Sequence, residues 1–319
     1  MKDIFLSLEV LFRPRGIRRR DVSLVIMKKK IGNMTGYIMI LPVVAIISVF
    51  TIYPLFYAIK TSLYEILLAR PFLRPYVGYG NYLEVIKSYY FFKSLLNSLV
   101  YAAMCVFMVT VVGLGVSLLL NCRYKITNVL RIIIVVPWAI PFVVSGVMWK
   151  WIFNSSYGAF NGLLYSLGIT DAYVSWLGHP LYAKICLAIA HAWKEIPFAA
   201  ILFLAVLQTI PRELYDAVRV DGGTSWMAFK YVTLPLIKPV LLVVVIWETV
   251  IGFTMFDLVY VMTGGGPGDS TSLISWYTYA ETFKFLNLGK GAALSILLAL
   301  IVLAMIIIYL KVIRVEQVY

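Results

Sequence analysis

The sequence predicts an all-α membrane protein with six transmembrane helices, and three observations carry that expectation. Hydrophobic residues fill 62% of the 319 positions and the mean hydropathy is +0.90, whereas soluble domains average about 45–50% apolar residues. Six apolar stretches each reach the roughly 20 helical residues needed to cross a hydrocarbon core of about 30 Å. The formal net charge of +13 is carried by polar tails and loops beside those stretches, where bases act as topology determinants. No nucleic-acid motif accompanies the charge, so nucleic acid is not an expected partner.

The chain opens with a basic segment, residues 1 to about 33, that holds Lys2, Arg13, Arg15, Arg18, Arg19, Arg20, Lys28, Lys29 and Lys30. Ile4, Phe5, Leu8, Leu11 and Phe12 recur within it at helical spacing, as in an amphipathic helix lying on a bilayer. A basic anchoring tail without a specific task accounts for the same residues. A cleaved secretory signal is not expected, because the first apolar run begins near Thr35, exceeds signal length and lacks a small-x-small cleavage site.

Residues 34–319 are expected to form one transmembrane domain. Its spans run roughly Gly36–Ala58, Leu95–Leu120, Val129–Trp151, Tyr182–Leu207, Ile237–Met262 and Gly289–Val312. An even number of spans puts both termini on one side, and the basic tail assigns that side to the cytoplasm. Arg123, Lys125 and Arg131 in the short second-to-third connection agree, as do Lys311 and Arg314. The segment 61–94 is rich in Tyr and Phe, as an interfacial belt with a short surface helix would be. Thr263–Ser272 is a loop of turn formers whose glycines match neither a P-loop nor a dinucleotide fingerprint. Cys105, Cys122 and Cys186 read as small buried hydrophobes, and His179 and His191 do not suffice for a histidine metal site.

Between the fourth and fifth spans the chain turns polar, over residues 208–236. Pro211 suits a first helical turn, with Glu213 and Asp216 adding acid near its positive end. Leu214, Ala217 and Val218 fall on one apolar face, opposite Arg212, Glu213, Asp216 and Arg219. Gly222 and Gly223 can take the left-handed conformation that stops a helix, and Thr224 can cap a second one running to about Tyr231. Pro235 and Pro239 then restrict the exit.

This stretch reads Asp216-Ala-Val, three residues, Gly222, nine residues, Val232-Thr-Leu-Pro235. It resembles the cytoplasmic loop motif of binding-protein-dependent ABC importer permeases, with Asp216, Val218 and Val232 as mild departures and the spacing intact. Phe256-Asp-Leu-Val-Tyr-Val-Met-Thr-Gly-Gly-Gly-Pro267 is similar to the carbohydrate branch of that family, the maltose/glycerol-3-phosphate/trehalose type. So are Leu130-Arg-Ile-Ile-Ile-Val-Val-Pro-Trp-Ala-Ile-Pro141, with Gly158 and Asn161, and Gly78-Tyr-Gly-Asn-Tyr82. The resemblance implies a permease domain with a cytoplasmic coupling helix. Glu213, Asp216, Ala217, Val218, Asp221, Gly222, Gly223 and Pro235 would serve ATPase coupling. It further implies a second permease subunit of the same fold, two ATPase subunits that bind ATP and Mg, and an extracytoplasmic solute-binding protein delivering a sugar. No cofactor and no catalytic residue is expected in this chain.

Charged groups at membrane depth are costly, so each is a candidate for the substrate pathway. Lys194 and Glu195 lie mid-way along the fourth span before Pro197, where a kink could open polar groups to a cavity. The fifth span carries Trp247, Glu248, Phe253, Phe256, Asp257 and Tyr260, a mixture suited to a sugar, whose ring faces stack on aromatics while its hydroxyls meet acids. Structural pairing and helix packing explain the same residues. Lys150 and Lys184, near span ends, are expected to snorkel. A self-sufficient secondary transporter or channel is the alternative function and would show paired interrupted spans forming an internal repeat. A membrane-embedded enzyme ranks last, since no Gly-x-Ser-x-Gly elbow is present.

Overall fold

The computed structural model describes residues 39–70, 72–122 and 126–313. The basic segment and its expected amphipathic helix lie outside the described residues, as do Arg123, Lys125 and Arg314. Among the described residues five helices are long and apolar enough to cross a bilayer, and the number is six when two shorter helices, bent by 96° at a break, count as one span.

The first span is α1, Met39–Ser62, with a π-helical turn at Ser48–Ile52. Residues 39–57 belong to one unit and Ala58–Tyr319 form a second. Within the second, α2 (Gly80–Lys87) is the expected short surface helix. The Asn81 amide donates to the carbonyls of Ser62 at 2.8 Å and Tyr64 at 2.9 Å. It thereby satisfies acceptors that a helix end leaves free.

The second span, α3 (Tyr89–Leu120), starts well before the expected Leu95 because Ser88 caps it, its hydroxyl accepting from the Tyr90 N–H. The third span is broken, contrary to the single helix expected over Val129–Trp151: α4 (Thr127–Ala139) and α5 (Phe142–Ile152) meet at Ile140-Pro141. Pro141 lacks a donor and forces Ile140 out of the helical region, to ψ 131°. A short helix α6 (Ala159–Ser166) follows on the way to the fourth span. There Asn161, fully buried, bonds Asn154, Val174 and Trp176, which explains its place in the recognised sequence pattern.

The fourth span, α7 (Pro180–Leu207), is the hub. In its most apolar 18-residue window 61% of positions are buried, against 28% in α3 and 17% in the last span. Alanines at 183, 188, 190, 192, 199 and 200 line its buried faces, and small residues let helix backbones approach closely without a bulky seam. At Gly113 of α3 any Cβ would lie 2.9 Å from that of Ala199. Pro197 does not interrupt α7.

The polar connection folds as α8 (Arg212–Val220), and α9 runs from Ser225 to Thr254 as one helix. The short second helix expected to stop near Tyr231 is therefore the first turns of the fifth span. A π-helical turn at Phe229–Thr233 absorbs the backbone mismatch just before Pro235, whose ring would clash with the carbonyl four residues back in a regular helix. The fifth span also ends early, at Thr254 rather than Met262. Met255 is extended at ψ 113°, and α10 (Asp257–Met262) starts afresh. The Thr263–Ser272 loop is tied to α3, since the Asn97 amide donates to the carbonyls of Asp269 and Ser272. After α11 (Ile274–Tyr279) and a π turn, α12 (Leu288–Val312) completes the fold.

Candidate functional site

Two regions hold the predicted site residues, and the first is the hairpin formed by α8 and the start of α9. The chain reverses through a Schellman motif, with the N–H of Gly223 on the Val218 carbonyl at 2.7 Å and that of Gly222 on Arg219 at 3.1 Å. Gly222 sits at φ +76°, a left-handed position that costs a residue with a Cβ roughly 1–2 kcal/mol. A Cβ at Gly223 would lie 2.5 Å from Val218 Cγ1, so both glycines are required, for different reasons. The Thr224 hydroxyl accepts from the Met227 N–H, which is the expected cap.

Tyr215, which the sequence did not single out, anchors α8. Its side chain packs against the buried cluster that contains Ile210, Phe203 and Ile237, and its hydroxyl lies 3.0 Å from Thr233 Oγ1 in the π turn. The opposite side is open. Glu213, Asp216, Ala217, Asp221 and Gly222 are exposed, Val218, Gly223 and Pro235 half-buried. Leu214, Trp226 and Val220 are exposed too, at 42%, 68% and 86%. On the apolar face that amphipathicity assigned to Leu214, Ala217 and Val218, Leu214 and Ala217 are thus exposed and Val218 is half-buried. Asp216 bonds Arg219 at 3.1 Å, an exposed i,i+3 pair worth about 0–1 kcal/mol.

The second region lies at mid-membrane. Lys194 and Glu195 are 7% and 3% exposed and pair at 3.3 Å. The Lys194 ammonium donates to the Trp138 carbonyl at 3.1 Å and lies 4.3 Å from the Phe142 ring centre. Trp138 and Phe142 flank the break in the third span, so the lysine satisfies an acceptor that the broken helix leaves free. Glu195 in turn accepts from Trp247 Nε1 at 3.5 Å. Phe198 fills the wedge, its ring centre 5.7 Å from Trp138 and 5.2 Å from Trp247. Pro197 was expected to open these groups to a cavity by kinking α7; the unbroken helix instead buries them against the broken span.

Glu248 is fully buried, and its carboxylate meets His191 Nε2 at 3.0 Å, while His191 Nδ1 lies 3.1 Å from the Tyr101 hydroxyl. Its second oxygen, Oε1, has no partner among the described residues. Sequence reasoning weighed His191 for metal binding alone and passed over Tyr101. The signal was present, since His191 lies three and four residues before Lys194 and Glu195 and so shares their helix face.

Phe253 packs fully buried against Ala102 and Val302. Phe256 and Tyr260 lie past the break in the fifth span, among Trp276, Tyr279 and Phe283, with the Phe256 and Tyr279 ring centres 4.6 Å apart. The Ser275 hydroxyl donates to the Met255 carbonyl, which stabilises this break without a proline. Asp257, half-buried, opens α10. Lys150 does more than snorkel, since its ammonium donates to the Val261 carbonyl at 2.9 Å and joins the two broken spans.

Residues 110–314 match the family of binding-protein-dependent transport system inner membrane components. The trehalose/maltose transport system permease protein MalF of Thermococcus litoralis is 42% identical over 87% of this chain and 92% of its own length. The lactose transport system permease protein LacF of Rhizobium radiobacter is 31% identical over 86% and 92%. The sulfoquinovosyl glycerol transport system permease protein SmoG of Agrobacterium fabrum is 33% identical over 89% and 92%. Among solved structures, a chain of a bacterial ABC transporter that imports the acidic polysaccharide alginate superposes with a TM-score of 0.76 at 21% identity. The match covers 92% of this chain and 99% of that one, a likeness of fold.

Proposed function

The chain belongs to the family of binding-protein-dependent transport system inner membrane components, and from that membership we propose that it forms one half of the translocation pathway of an ATP-driven importer for a sugar or oligosaccharide. The observation that carries the coupling role is the α8–α9 hairpin. Its motif-spaced residues form a rigid Schellman turn, tied to the bundle by Tyr215 on one side and open on the other. In this reading a partner ATPase binds ATP and Mg and receives Glu213, Asp216, Ala217, Val218 and Asp221 in a surface cleft. Gly222 and Gly223 fix the turn, and Pro235 with the π turn before it passes its movement into the fifth span. A second permease of the same fold completes the pathway, and an extracytoplasmic binding protein delivers the substrate. Both termini and the hairpin face the cytoplasm.

The broken spans alone would also suit a self-sufficient secondary transporter, but family membership favours the importer. For the substrate path, the proposed lining is Lys194, Glu195, Trp247 and Glu248 with Phe256, Asp257 and Tyr260, which bring acids and aromatic faces to the two breaks. The decisive experiment reconstitutes the chain in vesicles with a co-expressed ATPase, second permease and binding protein. Sugar-stimulated ATP hydrolysis with uptake is expected, and uptake by the chain without an ATPase would favour the alternative.

A further inference from the structure

Between α8 and the ends of α3 and α7 lies a cavity of about 580 Å³, within the range of small-molecule sites. It is walled by the ends of α3 and α7, the start of α4 and α8 itself. Three guanidinium groups, from Arg131, Arg212 and Arg219, line it against the single carboxylate of Asp216, which Arg219 already engages. Asn121 and Gln208 add neutral polar groups. Arg131 is held in place by its Nη2, which donates to the Leu120 carbonyl at 2.8 Å. Its Nε is buried with no partner among the described residues. A second cavity of about 630 Å³ adjoins the first, sharing Asn121, Leu207, Tyr215 and Arg219 as walls and adding Leu118, Trp226 and Phe229.

We propose that the paired cavities form a binding site for a phosphate-bearing anion. Arginine forks suit phosphate oxygens because they can donate two parallel hydrogen bonds. The neighbouring apolar cavity sits where a hydrocarbon tail attached to that phosphate would lie, so an anionic phospholipid and a free phosphorylated solute share the headgroup chemistry and differ in the use of the second cavity. An occupant would bridge the third span, through Arg131, to the helix that carries Arg212 and Arg219.

The test uses the full-length chain, delipidated in an uncharged detergent free of sugar. Binding of radiolabelled inorganic phosphate is measured by equilibrium dialysis, and retention of phosphatidylglycerol against phosphatidylcholine of the same acyl chains by native mass spectrometry. One anion per chain is expected, with Arg131→Gln and Arg212→Gln each weakening it about tenfold or more and Lys238→Gln, outside the cavity, leaving it unchanged. Phosphatidylglycerol that is retained and displaces phosphate identifies a lipid site, whereas phosphate that phosphatidylglycerol does not displace identifies a soluble phosphorylated ligand. Arg131 also supports Leu120, so Arg212→Gln decides if the first variant is lost to misfolding. Absence of one-per-chain binding of both probes, or wild-type binding in Arg212→Gln, overturns the proposal. Solubilised chain exposes both faces, so neither result depends on the importer reading.

Discussion

The hairpin and the mid-membrane cluster both consist of charged residues, yet they are built on opposite terms. Asp216 and Arg219 pair in solvent, 64% and 78% exposed, and either side chain can leave the other without penalty from burial. His191 and Glu248 pair at 0% exposure, between two spans, with Tyr101 of a third closing the chain of contacts. The hairpin keeps its geometry through backbone turns and one tyrosine, and leaves its charges free for a partner. In the cluster the charges themselves hold the geometry. Loss of a charge should therefore damage folding in the cluster and coupling in the hairpin, with the two effects running in opposite order across a set of variants.

The largest loss of stability is expected where a buried partner is stranded. In Glu248→Ala, His191 loses its acceptor, and the break-up of a buried pair typically costs about 3–5 kcal/mol. Thermal unfolding in detergent should drop steeply or the chain should fail to accumulate, while Glu248→Gln, which keeps an acceptor, should retain most of the stability. A Glu248→Ala chain that unfolds like wild type would break the contrast at its strongest point.

A smaller loss is expected for Lys194→Met. The Trp138 carbonyl and Glu195 would each lose the ammonium, and an unsatisfied buried group costs about 1–3 kcal/mol. Because the lysine supports the broken third span, protease sensitivity should rise around Ile140-Pro141 more than around the hairpin. An even change over the whole chain would mean that the break stands without it.

How far each region could be read from sequence follows the same division. The hairpin is local: a proline, two glycines, a threonine cap and an amphipathic period sit within about thirty residues, and each signal acts on its own neighbours. The cluster depends on which helix faces lie together. Glu248 and Lys194 were legible as ionisable residues at membrane depth, but the pairing of Glu248 with His191, some 57 positions away, is a product of packing. The two breaks divide likewise. Pro141 announces the first, whereas Met255 carries no mark in sequence, because Phe256 and Ser275 set that break through contacts with α11. The burial of Phe253 is likewise a product of packing, since composition says that an aromatic is present and not which face of the helix carries it.

Gly222→Val moves the test to the hairpin. Its stability loss should be about 1–2 kcal/mol, the usual penalty for a left-handed residue with a Cβ, since nothing lies within 4 Å of a Cβ placed there. Transport should nevertheless vanish, because the α8 direction depends on that turn. Co-purification of the ATPase with the variant is the measure, and full retention together with sugar-stimulated hydrolysis would remove the hairpin from the coupling role.

Asp216→Ala should perturb the fold least and separates the two regions most cleanly. The carboxylate is well exposed and its one bond is to Arg219 on the same helix, so stability should change by less than about 1 kcal/mol. Release of Arg219 adds a free guanidinium to α8, and a basic group on an ATPase cleft would then face a cation in place of an acid. Charge-assisted hydrogen bonds are roughly twice as strong as neutral ones, so ATPase affinity should fall several-fold while thermal unfolding stays put. The double variant Asp216→Ala with Arg219→Ala distinguishes the two causes. If the lost acid matters through its partner, the double variant stays impaired; if it matters by holding Arg219 in check, removal of Arg219 restores coupling. Wild-type affinity in Asp216→Ala would show that this acid serves α8 alone, and would shift the expected contact to Glu213 and the exposed apolar side chains Leu214 and Val220.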